Sequence, residues 1–444
     1  MSSELRLLWE SAGGKIPDEW DIVPLEALFR DAKSIAVGVM YPGTHAPGGV
    51  PLIKVGDIKG GIISSEPDFC ISEEVNHEYR RSQLVGDELL ITLVGNPGEC
   101  VVVTPEMAGW NPARAIAAMK LKDSELRTYV KTVLESAAGR HLIDSVLNTT
   151  VQKTLNLKDI RRLPIPIPTR EGIRNISEMA EAFSDRIALL RETNTTLEAI
   201  AQALFKSWFV DFDPVHAKMQ GRAPEGMDEA TAVLFPDSFD ESDLEVIPKG
   251  WEWSTVGKAF VLTMGQSPPG DTYNQKADGL PFYQGRTDFG FRFPTKRIYC
   301  NAPTRLAEIG DALVSVRAPV GDVNMAIETC CIGRGVAAVR HSGGCSGYTF
   351  YTMRNLGERF KNFDSEGTVF GSINKKDFDA LPVLAPSHPV LLAFDKFSKV
   401  LDGRIAINEE QIRLLVELRD ALLPRLISGT LKVSSEESLV DGGR

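Results

Sequence analysis

The chain contains two copies of one long unit, and this duplication constrains its fold more than any other feature. The run GDALVSVRAPVGD from Gly310 matches GDELLITLVGNPGE from Gly86, with one residue inserted. The segment TVQKTLNLKDIRRLPIPIP from Thr150 matches TVFGSINKKDFDALPVLAP from Thr368 without gaps, at an offset of 218 residues. Solenoid repeats are only about 20 to 50 residues long. We therefore predict two copies of a whole domain, each followed by a helix.

Each copy shows the pattern of a mixed α/β domain. It opens with an Ile-Pro-x-x-Trp segment, at Ile16 and Ile247, and continues in short β-rich runs such as LLITLVG and ALVSVRAP. These runs are irregular in spacing and are broken by Gly, Pro and Asn, which argues against a regular sandwich. A more helical stretch follows in each copy. Proline-punctuated exits at 164–168 and 382–386 then exclude helix.

A long helix is predicted after each exit. The first extends over roughly 172–209 with Thr169 as its N-cap, and the second over about 389–427 with Ser387 as its N-cap. Gly429 lies just past the end of the second helix. The whole chain is thus predicted to be α+β, with two tandem-duplicated mixed α/β domains and a long helix after each.

Both helices carry a seam of residues spaced alternately three and four apart, which is typical of coiled coils. The seam positions are Ile187, Leu190, Asn194, Leu197, Ala201, Leu204 and Trp208, and then Ile405, Asn408, Ile412, Leu415, Arg419, Leu422 and Leu426. A single amphipathic helix lying on its own domain is the alternative interpretation. Each seam holds one Asn, at different heights, and a buried Asn selects register and partner. We therefore predict that the two helices pair as an antiparallel coiled coil and hold the two domains apart.

The domain organisation follows from these features. We predict domain 1 at residues 1–170, the first long helix at 171–212, an acidic extended linker at 213–246, domain 2 at 247–387, the second long helix at 388–430 and a flexible C-terminal tail at 431–444.

Composition excludes several classes of protein. With 43% apolar and 25% charged residues, no apolar leader and no long apolar run, the chain is expected to be soluble and cytoplasmic. The six cysteines form no CxxC pair, so neither a zinc site nor a disulfide framework is expected. The net charge of −11 is concentrated between the domains: residues 171–246 carry −10, whereas 247–387 carry +3. A basic face on each domain is therefore permitted.

The motifs of common active sites are missing from the sequence. It contains no P-loop, no His-Glu-x-x-His and no Gly-x-Ser-x-Gly. The carboxylates Asp87, Glu99, Asp311 and Asp322 follow glycines at strand edges, where capping of a turn is the simplest role. SPPG at 267–270 is interpreted only as a turn. We predict a binding protein built twice, with no catalytic residue, no metal and no cofactor in this chain.

Duplicated domains joined by antiparallel helices acquire an approximate two-fold axis. Duplex DNA has the same pseudo-symmetry, so such a protein is suited to place one domain on each of two half-sites. The two copies have diverged more in their domains than in their exits and helices. This pattern is expected if the domains read different sequences while the helices serve a shared partner.

Four segments carry a resemblance to a known family. LEAIAQALFKSWFVDFDPV, LFPDSFDESDLEVIPKGW, GDALVSVRAPVGD and LRDALLPRLISGTLKV together resemble the specificity subunit of type I restriction–modification systems, in family order over nearly the whole chain. The resemblance implies a non-catalytic subunit with two target-recognition domains that read a bipartite, asymmetric DNA site. It implies helices that fix the unread spacer and dock two modification (methyltransferase) subunits, with two restriction subunits completing the endonuclease. S-adenosylmethionine, ATP and Mg²⁺ are then expected in the partner subunits.

The resemblance also suggests which residues face DNA. The family's loop before each exit corresponds to 150–154 and 368–372. Readers of base edges and phosphates are expected among amides and cations in such loops. The candidates are Lys54, Lys59, Arg80, Arg81, Asn96, Arg114, Gln152 and Lys153 in domain 1, and Arg286, Arg292, Lys296, Arg297, Arg317, Arg334, Lys375 and Lys376 in domain 2.

An aromatic cluster near the end of the first helix is a candidate docking surface for the methyltransferase. It consists of Phe205, Trp208, Phe209 and Phe212. Capping of the coil end is the competing interpretation. The second copy has Pro424 at the position of Lys206 and no aromatic match, so the two docking surfaces are expected to differ.

Two other functions stay open at this point. A related recognition subunit could serve a partner in which methylation and cleavage are fused in one polypeptide. Alternatively, the duplicated domains could form a scaffold that grips two copies of a protein partner without DNA, which the acidic balance favours.

Overall fold

The protein, described by a computed structural model over residues 2–63, 66–148, 153–242, 245–365 and 371–431, forms two compact units. Unit 1 comprises Met1–Ala188 and Arg413–Arg444, and unit 2 comprises Leu189–Ile412. Each unit therefore contains a mixed α/β domain together with a part of both long helices. The domain boundaries given above stay a prediction.

Unit 1 is built on a four-stranded antiparallel sheet. The strands of the whole unit are β1 (Asp21–Pro24), β2 (Ile35–Val37), β3 (Val50–Ile53), β4 (Ile58–Lys59), β5 (Ile62–Ile63), β6 (Cys70–Ile71), β7 (Glu88–Thr92), β8 (Cys100–Val102), β9 (Asn111–Pro112), β10 (Ile116–Lys120) and β11 (Pro164–Ile167). Its helices are α1 (Ser2–Ser11), α2 (Glu73–Glu78), α3 (Leu126–Glu135), α4 (Ala137–Ser145) and α5 (Leu157–Arg162), followed by the start of α6 (Arg170–Phe209). The main sheet has the order β2-β10-β7-β8, and a second sheet has the order β6-β3-β9.

Both faces of the main sheet in unit 1 are covered. Side chains alternate between the two faces of a strand, and every residue of β7 is buried. Leu89 and Ile91 join a core with Tyr129 of α3, whereas Leu90 joins a second core with Ile53 of β3. This two-sided burial explains why β7 reads as a continuous apolar run rather than as an alternating pattern.

Unit 2 repeats the same plan. Its strands are β12 (Phe239–Asp240), β13 (Ile247–Pro248), β14 (Glu252–Thr255), β15 (Phe260–Met264), β16 (Tyr273–Asn274), β17 (Leu280–Tyr283), β18 (Tyr299–Cys300), β19 (Leu306–Ala307), β20 (Ala312–Ser315), β21 (Val323–Met325), β22 (Cys330–Ile332), β23 (Val336–His341) and β24 (Pro382–Ala385). Its helices are α7 (Asp213–Met219), α8 (Glu229–Ala232), α9 (Val256–Ala259), α10 (Ser346–Asn355), α11 (Gly357–Ser365), α12 (Lys375–Ala380) and most of α13 (His388–Ile427). The main sheet, β15-β23-β20-β21, has the topology of its counterpart in unit 1.

The duplication extends to single hydrogen bonds. The Tyr129 hydroxyl donates to the carbonyl oxygen of Pro166 at 2.6 Å, and the Tyr348 hydroxyl donates to that of Leu384 at 2.6 Å. Each bond ties the helix that follows the main sheet, α3 or α10, to the proline-rich exit strand, β11 or β24. The predicted architecture of two duplicated mixed α/β domains is thereby confirmed.

The two long helices form as predicted, and both contain 40 residues. The Thr169 hydroxyl accepts a hydrogen bond from the backbone N–H of Gly172 at 3.1 Å, which satisfies one of the free amides at the start of α6. Beyond the end of α13, Gly429 has a φ of 67°, a left-handed conformation that glycine adopts without strain.

Within unit 2 the two long helices run antiparallel. The side-chain amide of Asn408 donates to that of Asn194 at 2.8 Å, and both residues are buried. Trp208 and Phe394 also meet, with ring centroids 5.9 Å apart. Trp208 lies fourteen residues after Asn194, whereas Phe394 lies fourteen residues before Asn408. The two asparagines thus meet at one level, which corrects the expectation that they stand at different heights.

The segment between the long helix α6 and domain 2 is less extended than expected. It contains α7 and α8, and it contributes Val215 and Phe235 to the core of unit 2. The apolar residues scattered through this acidic segment explain the difference, because their burial favours folding onto the domain.

Candidate nucleic-acid interface

The same turn follows an inner strand of each main sheet, β7 in unit 1 and β20 in unit 2. In unit 2 the Ser315 hydroxyl donates to the carbonyl oxygen of Pro319 at 2.8 Å and accepts from the N–H of Asp322 at 2.9 Å. In unit 1 the Thr92 hydroxyl bonds to the carbonyl oxygen of Asn96 and accepts from the N–H of Glu99 at 3.0 Å. The matching sequences therefore build one rigid turn at the same end of both sheets.

Each unit has an arginine at the equivalent position beside this turn, Arg114 in unit 1 and Arg334 in unit 2. Arg114 comes two residues after Pro112, which pairs with Ile53 in the parallel strands β9 and β3. Arg334 comes two residues after Ile332, which pairs with Tyr283 in the parallel strands β22 and β17. Both arginine side chains are exposed. The sequence singled out both residues but did not reveal that they correspond.

In unit 2 this end of the sheet contains a depression of about 430 Å³ lined by Arg286, Arg317 and Arg334. The guanidinium of Arg286 is paired with Asp322 at 2.6 Å. Within the described ranges, the guanidinium groups of Arg317 and Arg334 have no carboxylate at ion-pair distance. Two uncompensated cations beside a rigid turn make this depression a suitable site for an anion such as a phosphate.

Two further polar side chains line the depression and were missed by the sequence reasoning. Gln284 follows β17 directly, and Ser267 lies in the SPPG segment that was interpreted only as a turn. The Ser267 hydroxyl accepts a hydrogen bond from the N–H of Arg334 at 3.4 Å. The available signal for Gln284 was its place between an apolar run and the turn residue Gly285.

Three of the four other exposed cations proposed for domain 2 are paired with carboxylates. Lys296 pairs with Glu328 at 2.5 Å, Arg297 with Asp288 at 2.8 Å and Lys375 with Asp379 at 3.3 Å. Lys376 is exposed on α12. None of these four side chains lines the depression.

Arg292 is buried, which disagrees with its assignment to DNA. Its side chain is only 1% exposed, and its guanidinium is paired with Glu198 of α6 and with Asp402 of α13, the latter at 3.0 Å. The Tyr351 hydroxyl accepts a further hydrogen bond at 2.6 Å. A guanidinium enclosed by these partners has no access to a ligand in solvent. Burial of this kind is not visible in the sequence.

The candidates of domain 1 fall into two groups. Lys54 and Arg114 follow the parallel strands β3 and β9 at the same end of the pair. Asn96 lies in the turn after β7. Lys153 precedes Thr154, which pairs with Val94 next to that turn. The remaining candidates lie elsewhere and are also exposed: Lys59 in the β4–β5 hairpin, and Arg80 and Arg81 after α2. Gln152 lies outside the described residues, as do most of the loops at 150–154 and 368–372.

The aromatic cluster proposed for docking is part of the core of unit 2. Phe205, Trp208 and Phe209 are between 3% and 7% exposed. Phe209 packs against Phe394 of α13, and Phe212 packs against Trp251. These contacts leave little aromatic surface for a partner, so the burial does not agree with the docking assignment.

The coiled-coil seam residues are buried or half-buried, as a seam requires. In unit 1 these are Ile187, Leu415, Leu422 and Leu426; in unit 2 they are Leu190, Asn194, Leu197, Leu204, Ile405, Asn408 and Ile412. A different apolar set on α13 is exposed. Within unit 2 it comprises Leu392, Phe397, Val400 and Ile407, of which Val400 is 71% exposed.

The described residues contain neither a metal site nor a helix suited to span a membrane. No group of three or more His, Cys, Asp or Glu in these ranges has the arrangement of a metal site. No helix in this part of the chain is both long and apolar enough to cross a bilayer. The six cysteines are free thiols, and five of them are buried.

No family model matches this sequence. Two curated proteins are similar to it over most of their length. A chain of Methanocaldococcus jannaschii, which carries a provisional name as the specificity subunit of the type I restriction enzyme MjaX, is 24% identical over 433 residues, covering 95% of this chain and 96% of its own. The specificity subunit of the type I restriction enzyme HindI of Haemophilus influenzae is 26% identical over 365 residues, covering 70% and 76%.

A solved structure has a similar fold. The S subunit of a type I restriction–modification system from M. genitalium matches with a TM-score of 0.56 at 14% identity, covering 95% of this chain and 99% of its own. This likeness bears on the fold alone. It agrees with the two-domain layout described above.

Proposed function

Because this chain is similar over nearly its whole length to specificity subunits of type I restriction enzymes, we propose that it is the DNA-reading subunit of such a complex. The observation that carries the proposal is the depression formed by Arg286, Arg317 and Arg334 beside a rigid turn, with the equivalent Arg114 in the other unit. Cations on loops anchored to a sheet position a protein on the phosphate backbone, and neighbouring amides read base edges. Gln284 and Asn96 are the amides at the two sites.

The two domains would read the two halves of a split, asymmetric site. We assign residues 1–170 and 247–387 to the two halves, because the surrounding loops differ in sequence while the scaffold is repeated. The long helices at 171–212 and 388–430 would fix the unread spacer. A pair of helices with a buried Asn–Asn contact has one preferred register, which suits that role.

Catalysis would take place in partner subunits. We propose two modification subunits and two restriction subunits around this non-catalytic chain, with S-adenosylmethionine, ATP and Mg²⁺ bound by the partners, in the cytoplasm. Because the aromatic cluster is buried, we propose instead that the modification subunits dock on the exposed apolar residues Val400 and Ile407 of α13. They are seven residues apart and lie on one side of the helix.

Docking is tested by charge substitution. Val400→Lys combined with Ile407→Lys is expected to abolish co-purification of the modification subunit, because a partner helix would have to bury both ammonium groups. Val261→Lys, at an equally exposed apolar position of β15, is the matched control and should leave co-purification unchanged. Undiminished complex formation by the double variant would refute this docking surface.

The central experiment is co-expression of the chain with the modification subunit encoded beside it, followed by mapping of N6-methyladenine in the host DNA. Methylation on a split motif with a fixed gap is expected. Exchange of one domain should change one half of the motif only. A stable complex without sequence-defined methylation would instead favour the protein scaffold, and a partner that carries both methyltransferase and nuclease would favour the fused system.

A further inference from the structure

Unit 1 displays two large apolar side chains next to each other beside the candidate interface. Met40 is 41% exposed and Tyr41 is 77% exposed, in the loop that follows β2. Among the described residues, no aromatic ring packs on Tyr41 and no group hydrogen-bonds to its side chain. Tyrosine is enriched at interfaces because its ring is a large apolar surface that carries a polar hydroxyl.

The loop that carries Tyr41 is held firmly. The side chain of Val39 is 1% exposed and lies in a small core with Leu52 of β3. Its N–H donates to the carbonyl oxygen of Pro112 at 2.7 Å, and its own carbonyl oxygen accepts from the backbone N–H of Arg114 at 2.9 Å. A buried anchor two residues before Tyr41 fixes where the ring is displayed.

The close approach of backbones at Gly38 fixes the loop further. A Cβ atom at this position would lie 2.0 Å from the carbonyl oxygen of Pro112, so no larger residue fits. Gly265 is its counterpart in unit 2, where a Cβ atom would lie 2.2 Å from the carbonyl oxygen of Gly333. Counted from these two glycines, the position of Tyr41 is occupied by Pro268 in unit 2. The exposed ring is therefore a feature of one domain only.

We propose that Tyr41 contacts a base of duplex DNA in the half-site read by domain 1 and is a specificity-determining residue of that half-site. The inference rests on the proposed function and deepens it. Arg114, whose backbone is hydrogen-bonded to the same loop, holds the adjacent phosphate. A rigid aromatic ring next to a phosphate-binding cation packs against a thymine methyl group or stacks on an unstacked base step, as apolar wedges do in other DNA-binding proteins. Domain 2 uses polar groups, Ser267 and Gln284, at the corresponding place.

The test uses the complete complex of this chain with its modification subunit and duplexes that contain the mapped site. Tyr41→Ala is expected to weaken binding to the cognate duplex about tenfold or more, the range seen when an aromatic residue that stacks on a base is removed. Tyr41→Phe, which keeps the ring, should bind within about threefold of the wild type. Val85→Ala is the matched control, because Val85 is 58% exposed in the same unit but precedes β7 at the opposite end of the strand.

Base-by-base replacement in the duplex then locates the contact. The wild-type complex should discriminate against replacement of one base pair in half-site 1, and Tyr41→Ala should lose that discrimination while keeping all of it in half-site 2. Equal thermal unfolding of the variants establishes that the fold is intact. A Tyr41→Ala complex that binds and discriminates like the wild type overturns the role of Tyr41 alone. A wild-type complex that reads no split site overturns the proposed function, and this inference with it.

Discussion

At the scale of single residues, the most consequential side chain is Arg292, because it is a buried cation that joins three elements. It reaches Glu198 on α6 and Asp402 on α13 from a loop of domain 2, and it stacks on the ring of Phe350 at 4.0 Å. At the repeat offset, Glu198 and Asp402 correspond to Val416 and Ser184, so the network exists in one copy only. It fixes domain 2 on the helix pair within unit 2.

Removal of the Arg292 charge is expected to destabilise unit 2 strongly. Arg292→Met keeps most of the volume but leaves Asp402 buried without its cation and Glu198 with Arg354 alone, a loss of about 3–5 kcal/mol in the free energy of unfolding. Denaturant titration followed by tryptophan fluorescence measures it. Lys296→Ala removes one partner of an exposed pair and should cost less than about 1 kcal/mol. Equal effects of the two substitutions would contradict a structural role for Arg292.

The pH dependence of stability should report on Asp402. Burial raises its pKa from the usual 3.8 to about 6, against the opposing influence of Arg292. A carboxyl group with a raised pKa stabilises the folded state at low pH, and this contribution is lost as the pH rises through about 6. Between pH 6 and pH 5, the wild type should therefore gain about 1 kcal/mol relative to Asp402→Asn, which does not titrate. Parallel stability curves for the two proteins would show that Asp402 does not titrate in this range.

At the scale of elements, the long helices were the part most accessible to sequence reasoning. Their caps and the three-and-four spacing of their seams depend on local chemistry and periodicity, which the sequence displays directly. The level at which Asn194 meets Asn408 was not accessible, because it depends on the axial offset of two separate helices. The burial of Phe205 and Trp208 was missed for a related reason: their partners Tyr351 and Phe394 are distant in sequence.

The helix register in unit 2 makes a specific crosslinking prediction. Because Asn194 meets Asn408 in an antiparallel pair, Leu197 should lie level with Ile405. Cysteines at these two positions are expected to form an intrachain link with a short bismaleimide. The pair Leu197→Cys and Ile412→Cys is the control, since Ile412 is seven residues, or about 10 Å, further along the helix. A link in the control alone would require a different register.

At the scale of the whole molecule, the duplication and the mixed α/β class were predictable from the sequence. For the interface, the sequence offered a set of candidate residues but did not show which of them lie together. Both repeat copies and their short β-rich runs are visible as sequence patterns. The convergence of Arg286, Arg317 and Arg334 depends on three strand ends that the sheets bring to one edge. The same fold that assembled these residues enclosed Arg292 and paired Arg297 with a buried aspartate. Charge in the sequence could not separate these outcomes.

The net charge of the chain is −11, so its binding to DNA would depend on particular cations. The salt dependence of the affinity for DNA identifies those cations. Each phosphate neutralised by a cation contributes about 0.9 to the slope of log affinity against log salt concentration. The double variant Arg317→Ala, Arg334→Ala, in the complex with the modification subunit, should therefore bind DNA more weakly and reduce the slope by up to about 2. Lys249→Ala, an exposed cation that does not line the depression, should leave the slope unchanged. If the double variant keeps the wild-type slope but changes the preferred bases in one half-site, these arginines read bases rather than phosphates. If it changes neither, the DNA-binding face of domain 2 lies elsewhere.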